Sequence, residues 1–173
     1  MTRTRTRWWM AAALVLGLAW SLGAAADGRI FTRAGLAIGG TDPVAYFTQG
    51  EPVAGSPDFQ WEWHEATWQF ASAEHRDLFQ ADPEAYAPQY GGWCAWAAAN
   101  GEAASTVPEA WKIVDDRLYL NYSKWIQWRW ERDIPGKIEA ADAHWPDIFG
   151  GVSRRGAHGV HFSVERLARA RAG

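Results

Sequence analysis

The chain has 173 residues, 13 of them Trp, with 48% hydrophobic and 21% charged side chains. That is the length of one ordinary domain and a composition too apolar for wholesale disorder. Formal net charge is -3, and residues 27–150 carry 19 acidic against 9 basic side chains. Such a body lacks the basic face that neutralises phosphates, so no nucleic-acid partner is expected. The single cysteine, Cys94, excludes an intramolecular disulfide and any all-cysteine metal site within one chain.

The first segment reads as an export signal. Arg3, Arg5 and Arg7 precede an apolar run of roughly a dozen residues, and Ala24 and Ala26 supply a small-residue exit. The run is shorter than the about 20 residues of a comfortable transmembrane span. Residues 1–26 are therefore expected to be a signal peptide, leaving no stable membrane span after cleavage. The mature protein is expected to be periplasmic or secreted. A thiol in that oxidising setting must be buried, bound or paired.

Residues 29–40 read as a short extended lead-in ending in Gly39-Gly40. Asp42-Pro43 is a capping residue followed by proline, the signature of a short helical turn, and Gly50 ends it. Phe59, Trp61 and Trp63 alternate with polar residues, and a second strand at 67–71 completes a hairpin that turns near His64-Glu65-Ala66. Ser72 caps a helix in which His75, Leu78 and Phe79 share one face. Asp82-Pro83 restarts a second short helix over 83–90. Gly91-Gly92 gives a bend, and Trp93 to Asn100 reads as a short buried helix closed by Asn100-Gly101.

Trp111, Ile113, Leu118 and Leu120 alternate around Asp115-Asp116, a second hairpin whose turn chemistry explains the paired acids. Ser123 caps the segment 124–133, in which Ile126 and Trp130 lie four apart. Pro135-Gly136 breaks the chain before a last helix over 137–145, ended by Pro146. From Phe149 the chain becomes glycine- and arginine-rich, with five Arg against Glu165 alone beyond residue 150. Residues 27–148 are thus expected to form the domain and 149–173 a weakly ordered basic extension. Its arginines suit acidic surfaces, anionic lipid or the protein's own acidic body.

An ordered set of unusual strings stands out. TDPVAYF, FASAEHRDLFQADPEAYAPQYGGWCAWA, WKIVDDRLYLNYSKWIQWRW and ADAHWP span about residues 39–146. In that order they resemble the exported YHS-domain proteins. The resemblance implies a compact α+β domain, here two β-hairpins packed against several short helices, and a metal-associated role with copper or zinc as the candidate cofactor. Metal-linked members carry cysteine after Asp-Pro-Val and within the Phe-x-Ser motif. Here those positions read Val44-Ala45 and Phe70-Ala71-Ser72, so the paired thiolates that select copper(I) or zinc are gone.

Two readings of Cys94 stand side by side: a small core residue between tryptophans, and a ligand or reactive thiol. As a ligand its companion would be His75, whose plainer reading is a half-buried histidine with one hydrogen-bond partner. His64 sits at a hairpin tip. His144 falls at a helix end, where an imidazolium favours the dipole. The pair His158 and His161 carries only weak, non-selective affinity for copper or nickel. No phosphate loop, serine triad order or metalloprotease motif occurs.

The expected function is a binding module rather than an enzyme, with a metal ion or a small molecule as partner. Its ligand site is placed at the glycine bend, from Tyr90, Gly91, Gly92 and Trp93, with Tyr46 and Tyr119 supplying polar tips to an apolar pocket. Cys94 and His75 are the candidate metal ligands. The alternatives are a carbohydrate or small-ligand binder with an aromatic pocket, and a thiol enzyme built on Cys94. Surplus rings among Trp61, Trp63, Trp125 and Trp128 would stack on sugars or hold a cation.

Overall fold

The computed structural model describes residues 28–150. The expected signal segment, His158, His161 and nearly all of the basic extension lie outside the described residues. The fold is mixed α+β, with short strands and helices interleaved along the chain.

The lead-in is more regular than its sequence suggests. Thr32–Arg33 (β1) and Leu36–Ala37 (β2) pair antiparallel. The expected hairpin follows as Ser56–Trp63 (β3) and Ala66–Phe70 (β4), with Trp61 opposite Trp68 and Trp63 opposite Ala66. β2 adds to β4 in parallel through Leu36 and Thr67, giving one sheet of order β1-β2-β4-β3. A second, two-stranded sheet comes from Trp111–Val114 (β5) and Arg117–Leu120 (β6). All three hairpins close on two consecutive residues with positive φ: Ala34-Gly35, His64-Glu65 and Asp115-Asp116. Two such residues match the twist of the flanking strands. Aspartate and histidine tolerate that region better than most residues; Glu65 has no such advantage and is held by the strand pairing around it.

Most helix starts follow the caps. The Asp42 carboxylate accepts from the Val44 and Ala45 amides just ahead of Ala45–Thr48 (α1). Ser72 Oγ accepts from the His75 amide at 3.1 Å and starts Ala73–Ala81 (α2), and the Asp82 side chain starts Pro83–Tyr86 (α3). α3 is shorter than expected because Pro88 pushes Ala87 into the extended region, at φ -64° and ψ 137°. The expected buried helix is the single turn Ala95–Ala98 (α4), with Cys94 extended at its N-cap. Ser123 caps Lys124–Trp130 (α5).

The last helix corrects two expectations. It spans Ile134–Ile148 (α6), with Pro135 in its first turn and Asp133 accepting from the Gly136 amide at 3.1 Å. Pro135 is a starter, not a breaker, because a first-turn N–H has no helical partner to lose. Pro146 lies inside the helix rather than after it. It costs one hydrogen bond near the end, while Trp145 and Phe149 pack edge to face beyond it, their rings 5.4 Å apart. Phe149 therefore belongs to the body and not to the extension. It also meets Trp93 at 5.6 Å, and it abuts Gly28.

Two cores flank the second hairpin. Trp68, Phe70, Phe79, Tyr46, Val44 and Phe31 fill the first, and Leu118 and Leu120 close it from β6. Tyr90, Trp130, Ala95, Ala98 and Ala141 fill the second, and Tyr119 reaches it from the opposite face of β6. Strand alternation thus makes β6 the partition between them.

Candidate functional site

The glycine bend is the first candidate. Gln89–Gly92 form a tight turn in which Tyr90, Gly91 and Gly92 all have positive φ. A Cβ on Gly91 would collide with the Arg29 carbonyl, and one on Gly92 with the Ile38 side chain. The Gly91 carbonyl accepts from the Phe31 amide at 2.8 Å. The space that the two glycines free is occupied by the protein's own lead-in, so their close approach serves the fold. Trp93 belongs to the same seam. Its indole N–H donates to the Gly28 carbonyl at 2.9 Å and its ring lies 5.1 Å from Phe31.

A cavity of about 420 Å³ opens beside this bend, lined by Trp63, Glu84, Ala87, Pro88, Gln89, Tyr90, Arg117 and Trp145. Of the six residues expected to form a ligand pocket, only Tyr90 reaches it. Tyr46 is buried in the first core, where its hydroxyl donates to the Pro108 carbonyl at 3.0 Å and Trp111 meets its ring edge to face. Tyr119 is buried between Tyr90, at 6.0 Å, and Trp130, at 5.3 Å. The cavity walls come from five separate elements: Trp63 ends β3, Glu84 sits on α3, Gln89 and Tyr90 belong to the tight turn, Arg117 opens β6 and Trp145 lies on α6. Sequence reasoning missed Arg117, Glu84, Gln89 and Trp145 as a set. Hairpin and helix periodicity place each locally but not opposite one another.

Tyr90 is tied into the wall. Its hydroxyl donates to Asp142 at 3.0 Å. Burial, and then the hydrogen bond to Asp142, push its pKa far above the usual tyrosine range. It is a neutral, fixed aromatic surface at physiological pH. The other polar groups lining the cavity are the cation of Arg117, the carboxylate of Glu84 and the amide of Gln89.

Cys94 is fully buried. Its sulfur accepts from the Tyr122 amide at 3.3 Å and lies 3.7 Å from Asn121 Oδ1. Burial raises the thiol pKa, and backbone hydrogen bonds from Ala97, Tyr122 and Trp96 only partly oppose that. A protonated, enclosed thiol is a core residue in its chemistry, since the thiolate is both nucleophile and ligand. Asn121, which the sequence does not single out, organises this spot. Its Oδ1 accepts from the Trp96 amide at 3.3 Å, and its buried Nδ2 has no hydrogen-bond partner among the described residues.

His75 anchors a different cluster. Its Nδ1 lies 2.6 Å from Asp42 Oδ2, and its Nε2 lies 3.1 Å from Thr48 Oγ1. Asp42 is fully buried, and the same Oδ2 also accepts from the Ala71 amide at 2.8 Å. An ionised carboxylate only accepts, so Nδ1 carries a proton. A neutral His75 then accepts the Thr48 proton at Nε2. A charged one donates there and leaves the Thr48 hydroxyl to the Val44 carbonyl, 3.1 Å away. The cluster ties α1, the end of β4 and α2 together.

The metal expectation meets both findings. Cys94 and His75 are each spent on separate protein partners, and they share none. Among the described residues, no group of three or more His, Cys, Asp or Glu side chains converges as a metal site would need. These residues do not fit a resident copper or zinc ion. His64 stands exposed at its hairpin tip, and His144 is exposed on α6. No known family model matches the chain, and neither does any curated protein or solved structure.

Proposed function

We propose that this chain is an exported ligand-binding module of the YHS type, and that its ligand is a carbohydrate-sized polar molecule held in the cavity beside Tyr90. One observation carries the reading. Two indole rings and a tyrosine share a cavity of about 420 Å³ with one cation, one carboxylate and one amide. Ligand sites typically fall within about 300–1,000 Å³ and combine apolar walls with a few polar groups that fix orientation. Trp63 and Trp145 line the cavity, and indole rings suit the C–H side of a sugar ring. Glu84 and Gln89 suit its hydroxyls, and Arg117 would favour a sugar acid through charge-assisted hydrogen bonds. The order of the YHS-like strings supports the family; the absence of the paired cysteines directs the ligand away from metal.

The test is a titration of the purified protein with neutral mono- and disaccharides and with uronic acids. It is read by thermal unfolding and by tryptophan fluorescence. A true ligand at 100 times its Kd adds about 2.7 kcal/mol to stability. Arg117→Gln is expected to weaken a uronic acid at least tenfold and to spare a neutral sugar. No shift across the panel, or binding indifferent to both Arg117→Gln and Trp145→Ala, overturns the proposal.

A further inference from the structure

The described surface carries four exposed large apolar side chains, and three of them, Tyr122, Trp125 and Trp128, lie on or just before α5. Trp125 and Trp128 are 59% and 53% exposed. They alternate with charge at helical spacing: Trp125, Trp128, Arg129 and Arg132 fall at i, i+3, i+4 and i+7 and are all exposed. The buried face of the same helix is Gln127 and Trp130. Hydrophobic positions on the outward stripe are the reverse of what a helix that merely covers a core displays.

The cations here are held by rings. The Arg129 guanidinium lies over both Trp96, at 4.7 Å, and Trp125, at 4.9 Å. Arg132 lies over Trp128 at 4.5 Å, and Lys137 over Trp96 at 4.4 Å. None of the three makes a hydrogen bond or ion pair with a described residue, so ring contact fixes the charge while the N–H donors stay unspent. The nearby acids are partly engaged: Glu131 with Lys112 and Gln127, and Asp133 with the Gly136 amide. Glu139 remains on the same helix pair. With Lys124, four of the nine basic residues of an otherwise acidic body fall within 124–137.

We infer that this face docks on an anionic phospholipid surface, lying in the plane of the headgroups. Tryptophan and tyrosine with an apolar body and a polar edge partition to that depth, and immobilised arginines beside them match lipid phosphates. The charge complementarity is local, because the rest of the body would be repelled. No described helix is long and apolar enough to cross a membrane, so attachment here is peripheral.

The test uses the full chain with vesicles of phosphatidylcholine alone and of phosphatidylcholine with 30% phosphatidylglycerol, where 30% is on the order of a biological anionic fraction. Binding is measured by co-sedimentation, and hydroxyl-radical labelling of each tryptophan is read by mass spectrometry. Labelling of Trp125 and Trp128 should fall severalfold on the anionic vesicles, while exposed Trp61 stays as reactive as before. Each cation near such a surface contributes about fivefold. The Arg129→Gln/Arg132→Gln/Lys137→Gln triple variant should therefore lose on the order of a hundredfold in partitioning, and Trp125→Ala/Trp128→Ala at least tenfold. Circular dichroism establishes that each variant is folded. Vesicle binding that leaves Trp125 and Trp128 fully labelled assigns the contact to another part of the chain and overturns the proposal. So does an absence of binding, or protection of these rings without vesicles in a concentration-dependent dimer.

Discussion

The two cores on either side of β6 are built on opposite principles. The first is filled by volume: Trp68 and Phe70 each pack against Phe79, at 5.1 and 5.2 Å, and leucines from β6 seal them. The second is filled by closeness of backbone. Ala95, Ala98 and Ala141 let α4 and α6 approach, and Trp130 is its one fully buried indole. The polar fittings differ too. In the first, the Asp42 carboxylate is met by three amides and an imidazole. In the second, Trp130 Nε1 is buried without a partner among the described residues, and so is Asn121 Nδ2 near Cys94. Each such group costs about 1–3 kcal/mol relative to a satisfied one. The cavity opens where the regions meet, with Trp63 from one side and Tyr90 and Trp145 from the other. A close-packed aromatic wall thus faces a less completely satisfied one.

That contrast can be broken or sharpened by mutation. The largest effects belong to the first core. Phe79→Ala removes the hub of the ring stack and should cost about 3–5 kcal/mol in denaturant unfolding. Asp42→Ala strands His75 and three amides and should cost a similar 3–5 kcal/mol. A loss under about 1 kcal/mol for either would mean the first core is not the stable half. The second core should instead resist enlargement: Ala98→Leu is expected to cost about 1–3 kcal/mol by forcing α4 from α6. Were Ala98→Leu neutral, the alanine seam would be slack rather than close-packed.

Tyr90→Phe should cost about 1 kcal/mol, the net worth of its hydrogen bond to Asp142, and it changes the alkaline limb of stability. Burial raises the pKa of Tyr46, Tyr90 and Tyr119 above the ordinary value near 10. Each therefore contributes stability that is fully present below about pH 10 and is lost as pH rises above it, because the unfolded chain ionises first. Urea midpoints between pH 8 and 11 should fall less steeply for Tyr90→Phe than for the parent chain. An unchanged slope would place the alkaline sensitivity in Tyr46 or Tyr119. Smallest of all, Trp61→Gln on the exposed sheet face should stay within about 0.5 kcal/mol.

What the sequence reveals here is what adjacent residues decide among themselves. Ser72, Asp82 and Ser123 cap the helices they precede, and Asp115-Asp116 turns its hairpin, because capping and turn chemistry act over a few residues. Phe59, Trp61 and Trp63 announce a strand in the same way. The illegible parts depend on distant backbone. Gly91-Gly92 looks like an opening for a ligand until the Arg29 carbonyl and Ile38 are seen to occupy it. The two-residue strands β1 and β2 are too short for periodicity and exist through pairing with each other and with β4. Pro146 stays helical between Trp145 and Phe149, whose rings also pack on Tyr90 and Trp93 from distant segments. The candidate site was legible only at Tyr90 and Trp63, since Arg117 and Trp145 become neighbours only through tertiary packing around the second core.

The seam at Trp93 has a topological corollary. Gly28 gives its carbonyl to that indole, and Phe149 lies against the same ring and against Gly28 itself. Start and finish of the body are therefore neighbours, and where the backbone is cut matters less than which surfaces remain in touch. A permuted gene that splices 149 to 28 through a short linker and begins anew in the exposed turn at Gly50-Glu51 should yield the same cooperative unit.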